Sequence, residues 1–221
     1  MKGIMNFVFF LSIFSLNLSI DKIGLDISNL VSNDSFKCLK DDGYDHVIFR
    51  GYRRSGSVDP NFCQNVINAL NVSFPALEDF FAYISPCVSC NNPADEVNQV
   101  YRELDDCAIP GFDPIINMIL VVQGDGWSTK DVNRKFISTL IDTSISLETN
   151  CAILTSKYFW GNIVGLDFTY GSENCALYYI NYNNDSSFDD FEPFGGWDWP
   201  EGKQYSQNVQ ECNVTFNMDT M

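Results

Sequence analysis

Short apolar segments alternate with amphipathic helical patterns along most of this chain of 221 residues. Strands are predicted at residues 23–27, 47–52, 80–84, 117–123, 151–155 and 176–182, with two short closing strands at 203–205 and 212–216. Helices are predicted at 35–40, after Asp59, after Asn92 and at 131–141. This alternation favours an α/β fold with a largely parallel sheet. A β/α barrel is the natural closed form, with its site at the carboxyl ends of the strands, and a doubly wound sheet is the alternative.

The N-terminal residues have the pattern of a secretory signal peptide. Lys2 precedes an apolar run over residues 4–18, and a small residue, Ser15 or Ser19, could precede the cleavage site. The alternative is an anchoring helix, but the run is shorter than the ~20 residues that span a bilayer. We therefore expect a signal peptide at 1–19, one domain at 20–221 and a secreted protein. Its destination would be the extracellular space, a digestive lumen or a lysosome-like compartment.

Eight cysteines lie beyond the predicted signal. An even number in a secreted chain predicts disulfides, although the sequence leaves about a hundred pairings open. Cys87 and Cys90 form a C-x-x-C, for which a structural bridge is favoured over redox or metal chemistry in this context. Four N-x-S/T sequons predict a glycoprotein with the acceptors in surface loops: Asn33, Asn71, Asn184 and Asn213.

The chain is strongly acidic, with 29 Asp and Glu against 13 Lys and Arg and a net charge of −16. Such a charge repels nucleic acid and anionic membranes, so neither is expected as a partner. One histidine, His46, leaves little room for a Cys/His zinc site, and its place before an apolar strand favours a structural role. Acid chemistry by Asp and Glu is therefore the class to test first.

Four segments in a fixed order carry a family resemblance: GLDISN, VIFRGY, PCVSCNNPADEV and LYYINYNNDSSFDDFEPFGGWDWPEGKQY. Over residues 23–221 the chain resembles the glycoside hydrolase family 25 lysozymes, in the cysteine-containing type of nematodes and amoebae. The resemblance implies a flattened, irregular TIM-like barrel of five βα units and three closing strands. It also implies muramidase action on the β-1,4 bond between N-acetylmuramic acid and N-acetylglucosamine of peptidoglycan, with no metal and no cofactor. We expect a monomer.

The resemblance also implies four carboxylates at the site, and this chain departs from that pattern. Asp26 occupies the first position. Val121 and Gln123 occupy the Asp and Glu positions at the end of the central strand, and Asn183 occupies a further aspartate position after the sixth strand. An amide cannot donate a proton as a carboxylic acid does. General acid or base catalysis contributes ~10²–10⁴ in rate, so turnover should be close to background.

Displaced acids could rescue the chemistry. Asp125 lies two residues beyond Gln123 between two glycines, but that shift is ~6–7 Å along a strand. Asp185 could similarly stand in for Asn183. The acids at 189, 190 and 192 are predicted to form a solvated loop face.

Aromatic and amide side chains could shape a sugar-binding groove, with core packing as the alternative for each. Two candidates, Arg50 and Tyr52, end the second strand, and four more lie in the C-terminal third: Tyr182, Trp197, Gln204 and Tyr205. The remaining tryptophans, Trp127, Trp160 and Trp199, are predicted to pack or to lie in loops.

Three functions follow from these residues. The first is a secreted lysozyme-like protein that binds peptidoglycan or a related glycan in innate defence, with hydrolysis lost. The second is an active muramidase that uses Asp26 and Asp125. The third is an interaction module for another protein, with an unused groove.

Overall fold

The computed structural model describes residues 22–74, 80–107 and 116–221. The predicted signal segment lies outside these ranges. In chain order the elements are β1 (Ile23–Ile27), α1 (Asn33–Asp41), β2 (His46–Arg53), β3 (Ser57–Val58), α2 (Phe62–Asn71), β4 (Phe80–Ile84), a 3₁₀ turn (Val88–Cys90), α3 (Pro93–Asp106), β5 (Ile116–Val121), α4 (Lys130–Ser146), β6 (Asn150–Thr155), α5 (Lys157–Ile163), α6 (Tyr170–Asn174), β7 (Ala176–Ile180), β8 (Gly202–Glu211) and β9 (Val214–Thr220).

Eight of these strands close into a barrel, because β1 pairs with both β2 and β9. The pairs from β1 through β2, β4, β5, β6 and β7 to β8 are parallel. Strand β9 is antiparallel to both β8 and β1, and β3 forms a short hairpin with β2. Five strand–helix units are followed by β7, β8 and β9, so the predicted α/β barrel is confirmed.

The barrel interior is filled by alternate residues of successive strands. The buried set is Ile48, Phe81, Ile119, Val121, Ala152, Leu154, Tyr178 and Ile180. Two glycines make room for rings inside the barrel. A Cβ on Gly24 would lie 1.9 Å from His46 Nε2, and a Cβ on Gly202 would lie 2.5 Å from Tyr178 Cε1. His46 is therefore a fully buried residue of the barrel interior, as its sequence context suggested.

The second core lies between the strands and the surrounding helices. Helix α3 contributes Val97, Val100 and Leu104, and α4 contributes Phe136, Ile137, Leu140 and Ile141. These are apolar positions at helical spacing in the sequence. Helix α3 begins at Pro93, at the predicted position. Helices α5 and α6 were not predicted, because they are only 7 and 5 residues long and show no extended apolar periodicity.

Several predicted strand ends are wrong. Strand β7 ends at Ile180 and β8 at Glu211, rather than at residues 182 and 205. Strand β5 ends at Val121, so Gln123 lies beyond it. Strand β9 begins at Val214, because Cys212 and Asn213 have φ values of 50° and 62°. Two successive residues with positive φ form the tight turn that matches the twist of a hairpin. The last strand consequently extends to Thr220 rather than ending at Phe216.

All eight cysteines lie in the described ranges and form disulfides. The pairs are Cys38–Cys212, Cys63–Cys107, Cys87–Cys90 and Cys151–Cys175. The predicted bridge within the C-x-x-C is thus confirmed. Among the helices of the described residues, none combines the length and the apolarity needed to cross a bilayer.

Candidate active site

Asp26 lies at the carboxyl end of β1, where barrel closure places two amides against its carboxylate. Gln204 Nε2, from β8, donates to Asp26 Oδ2 at 2.5 Å. Asn217 Nδ2, from β9, lies 3.3 and 3.2 Å from the two carboxylate oxygens. Asn217 is the register partner of Asp26 across the antiparallel pair β1–β9. Strand register and side-chain parity therefore fix this arrangement. No motif in the sequence indicated Asn217 as a site residue.

A second carboxyl, that of Asp219, lies behind the first. Its Oδ1 accepts from Gln204 Nε2 at 3.3 Å, and its buried Oδ2 has no hydrogen-bond partner among the described residues. Asp219 is fully buried, and burial, followed by the charge of Asp26, raises the pKa of its carboxyl well above the ordinary value. The amide of Gln204 thus joins the carboxyls of Asp26 and Asp219. The predicted last strand stopped at Phe216, so Asp219 was missed.

Burial also raises the pKa of Asp26, to about 6, although the hydrogen bonds from Asn217 and Gln204 and the charge of Arg50 act in the opposite direction. Arg50 is held in place by Asp59, 2.5 Å from its Nε, and by the Ser28 carbonyl, 3.1 Å from its Nη2. Arg50 therefore lies near Asp26, and its role in sugar binding stays a prediction.

The charge of Asp26 contributes to raising the pKa of two tyrosines. Burial, and then that charge, raises the pKa of Tyr83 well above its ordinary value. Tyr182, which is 38% exposed, donates from its hydroxyl to Gln204 Oε1 at 2.6 Å. Its pKa is raised to about 12, first by burial and then by the charges of Asp26 and Asp219. Tyr182 therefore presents an aromatic ring at the mouth of the site, whereas Tyr83 was not predicted.

The end of β5 carries no acid at the positions that the family resemblance implies. Val121 is buried in the barrel interior, 3% exposed. The Gln123 carbonyl accepts from Arg54 Nη2 at 2.8 Å and from Trp127 Nε1 at 3.2 Å. Arg54 Nη1 also lies 3.2 Å from the carbonyl of Asp125, which is an exposed residue. The Arg54 guanidinium thus bridges the backbone of the loop that carries the candidate displaced acid.

Asn183 belongs to a different polar cluster, centred on Asp190. Asn183 Nδ2 donates to Asp190 Oδ2 at 2.9 Å, and Asn181 Nδ2 donates to the same oxygen at 2.5 Å. Lys203, fully buried, donates to Asp190 Oδ1 at 2.9 Å, and the Tyr179 hydroxyl donates to that oxygen as well. Asp190 is an exposed residue, as predicted for this loop, and its carboxylate also binds the buried ammonium of Lys203.

Three predicted groove residues are buried. Tyr52 is buried in the layer under the helices, because a register shift between Arg50 and Tyr52 turns it off the inner face. Trp197 is also buried there, and its Nε1 donates to the Cys175 carbonyl at 2.9 Å. Groove-forming roles are therefore wrong for Tyr52 and Trp197. Tyr205 is buried on β8, and burial, followed by the charge of Asp219, raises the pKa of its phenol. A groove role for Tyr205 stays a prediction.

The fold and the site together define a class of protein, the β/α barrels with an acidic site at the carboxyl ends of their strands. The family model described as Lysozyme-like protein 1 (Lys-1) matches residues 17–205. A relative, "Probable GH family 25 lysozyme 5" of Dictyostelium discoideum, is 32% identical over 202 residues, which cover 90% of this chain and 89% of the relative. The chain therefore belongs to the glycoside hydrolase family 25 lysozymes and their lysozyme-like relatives.

Solved structures share the fold at low sequence identity. A family GH25 lysozyme from Aspergillus fumigatus has a TM-score of 0.68 and 14% identity, with coverage of 91% of this chain and 93% of that one. The modular Cpl-1 endolysin, solved in complex with a peptidoglycan analogue, has a TM-score of 0.64 and 15% identity, with coverage of 90% and 53%.

Proposed function

We propose that this protein is a secreted lysozyme-family protein that binds peptidoglycan or a related glycan in innate defence, with hydrolysis strongly impaired. The observation that carries the proposal is the setting of Asp26, a carboxylate held between the amides of Gln204 and Asn217. In this proposal, residues 1–19 are removed as a signal peptide and residues 20–221 form the working domain. The exposure of the four sequon asparagines supports a secreted glycoprotein.

The polar groups around Asp26 suit the recognition of a neutral sugar. Gln204 and Asn217 offer amide donors and acceptors, and Tyr182 adds a partly exposed ring for the apolar face of a pyranose. Binding sites for polar ligands combine such a surface with a few convergent hydrogen-bonding groups. The complex of the Cpl-1 endolysin with a peptidoglycan analogue supports peptidoglycan as the ligand class.

Impaired hydrolysis follows from the missing proton donor. Glycoside cleavage needs a carboxylic acid that protonates the leaving oxygen, beside a second carboxylate or its equivalent. Val121 offers a hydrocarbon side chain and Gln123 an amide, and Asp219 is too deeply buried to touch a substrate. Loss of the acid alone lowers the rate by ~10²–10⁴.

Co-sedimentation with insoluble peptidoglycan tests the binding. We expect saturable binding by the wild-type protein, weakened several-fold in Tyr182→Ala because the variant loses the ring at the site mouth. The matched control is Tyr158→Ala, at an exposed tyrosine on α5. Absence of saturable binding to any bacterial wall or chitin-like oligomer would reject the proposal and favour a protein-interaction module.

The alternative function is active muramidase, with Asp26 and Asp125 as relocated acids. One observation favours it: the pKa of Asp26, about 6, keeps part of that carboxyl protonated in a mildly acidic compartment. Turbidity clearance of bacterial walls at acidic pH decides between the two functions. Activity that Asp26→Asn and Asp125→Asn each remove, and that the exposed control Asp189→Asn retains, would establish the alternative.

A further inference from the structure

The disulfide Cys87–Cys90 differs from the other three in its local setting. Its cysteines are 3 residues apart, whereas the other pairs are separated by 24, 44 and 174 residues. It forms just after β4, at the carboxyl end of the barrel, and its second cysteine ends the 3₁₀ turn that precedes α3. A disulfide that closes so short a loop restrains the unfolded chain least. Its contribution to global stability is therefore the smallest expected among the four.

The two cysteines are not equivalent. Cys87 is buried, 3% exposed, whereas Cys90 is an exposed residue. Thiol–disulfide exchange begins when a thiolate attacks an accessible sulfur, and the other sulfur leaves. The exposure of Cys90 and the burial of Cys87 favour attack at the Cys90 sulfur, with Cys87 as the leaving group.

A buried carboxyl lies against the leaving cysteine. Glu96, in the first turn of α3, is fully buried, and its two oxygens each lie 3.2 Å from the Cys87 backbone nitrogen. Burial of a carboxyl disfavours its charged form, so the group tends toward the protonated form. Burial raises the pKa of Glu96 to about 7, against the effect of the hydrogen bond from Cys87.

The surroundings of Glu96 contain few charges. Helix α3 packs against β2, β3 and α4. On β2, burial and then the charge of Glu96 raise the pKa of the Tyr52 phenol. On α3 itself, the charge of Asp95 adds to the raised pKa of Glu96. The cations on the packed elements are directed elsewhere: Arg53 donates to Ser57, and Lys135 on α4 lines a surface groove beside Ala94.

We propose that Cys87–Cys90 is an exchangeable disulfide that accepts two electrons from a dithiol, with Glu96 as the positioning residue that holds the proton for Cys87. A thiolate of the dithiol attacks Cys90 Sγ, the bond between the two sulfurs breaks, and Cys87 leaves and takes up a proton. The second thiolate of the dithiol then attacks its own sulfur in the mixed disulfide and releases Cys90, which is protonated from solvent. The dithiol ends as a disulfide, and the protein ends with two thiols. This activity is independent of glycan binding.

Dithiothreitol titration of the intact wild-type protein tests the proposal without any variant. Aliquots are quenched in acid and alkylated, and each cysteine pair is followed by peptide mass spectrometry. We expect Cys87–Cys90 to be reduced at least about tenfold faster than Cys38–Cys212, the internal control. That control also has one exposed cysteine, Cys38, but the Asp42 carboxylate lies 3.7 and 3.2 Å from the two sulfurs and repels a thiolate. Reduction of Cys87–Cys90 at the same rate as the control or more slowly would overturn the proposal.

The role of Glu96 is tested by the pH profile of the exchange rate, normalised to the thiolate concentration of dithiothreitol. Between about pH 6 and about pH 8 the protonated fraction of Glu96 falls roughly tenfold, so the normalised rate of the wild-type protein should fall by about the same factor. Glu96→Gln should remove this fall, whereas the control Asp95→Asn should keep it. A normalised rate that falls with pH in Glu96→Gln as it does in the wild-type protein would refute the role of Glu96. The order in which the wild-type disulfides are reduced is measured independently of this result.

Discussion

Asp26→Asn is expected to stabilise the protein at neutral pH and to have little such effect in acid. The pKa of Asp26 rises from an ordinary 3.8 to about 6 in the folded protein, chiefly through burial. Because the folded state holds the proton more tightly, the unfolded state loses it first as the pH rises. The contribution of Asp26 to wild-type stability therefore falls between about pH 4 and about pH 6 and is constant at higher pH.

The magnitude follows from the same shift. At about 1.4 kcal/mol for each tenfold change in an ionisation constant, ionising Asp26 in the folded protein costs at most about 3 kcal/mol. The carboxyl is partly exposed, so about 1–3 kcal/mol is expected. Asn does not ionise, so the variant lacks this pH dependence. The difference in free energy of unfolding, Asp26→Asn minus wild type, should therefore increase by about 1–3 kcal/mol from about pH 4 to about pH 7.5.

Urea unfolding followed by tryptophan fluorescence at both pH values measures this difference. Any constant effect of Asn on the hydrogen bonds from Gln204 and Asn217 cancels when the two pH values are compared. Asp189→Asn, at an exposed loop aspartate, is the control and should show no such growth. A stability difference that is the same at both pH values would refute the reasoning about burial.

Two further substitutions test the packing around the site. Asp190→Asn should lower the free energy of unfolding by about 3 kcal/mol or more, because it leaves the buried Lys203 ammonium without its anionic partner. Glu192→Gln, at the exposed ion pair with Lys157, should lower it by less than about 1 kcal/mol. A small loss in Asp190→Asn, measured in urea, would contradict the buried pair. Gly202→Ala should destabilise by about 1–3 kcal/mol, because its Cβ would lie 2.5 Å from the Tyr178 ring, and an unchanged melting temperature would contradict that contact.

The strands could be predicted because their apolar runs are nearly continuous. Strands β1 and β4 begin and end at the predicted residues, and the order of elements leads directly to a barrel. Asp26 could be assigned to the end of a strand, and hence to the mouth of that barrel. These features depend on local sequence pattern and on chain order.

The rest of the site depends on contacts between distant parts of the chain. Gln204 and Asn217 reach Asp26 across sequence separations of 178 and 191 residues, which only the closure of β1 on β9 produces. Asp219 could not be assigned while the turn at Cys212 was read as strand. Tyr52 was assigned to the groove because it lies near the end of the second strand, and the register shift in β2 could not be predicted from the sequence.

Release of reducing sugar ends from purified peptidoglycan tests most directly whether the groove binds without cutting. Wild-type protein at saturating binding should release them at the background rate, and Gln123→Glu, which restores a carboxyl beyond β5, should raise the rate by roughly 10²-fold or more. Release by the wild-type protein well above background, abolished in Asp26→Asn, would contradict a binding protein that has lost hydrolysis.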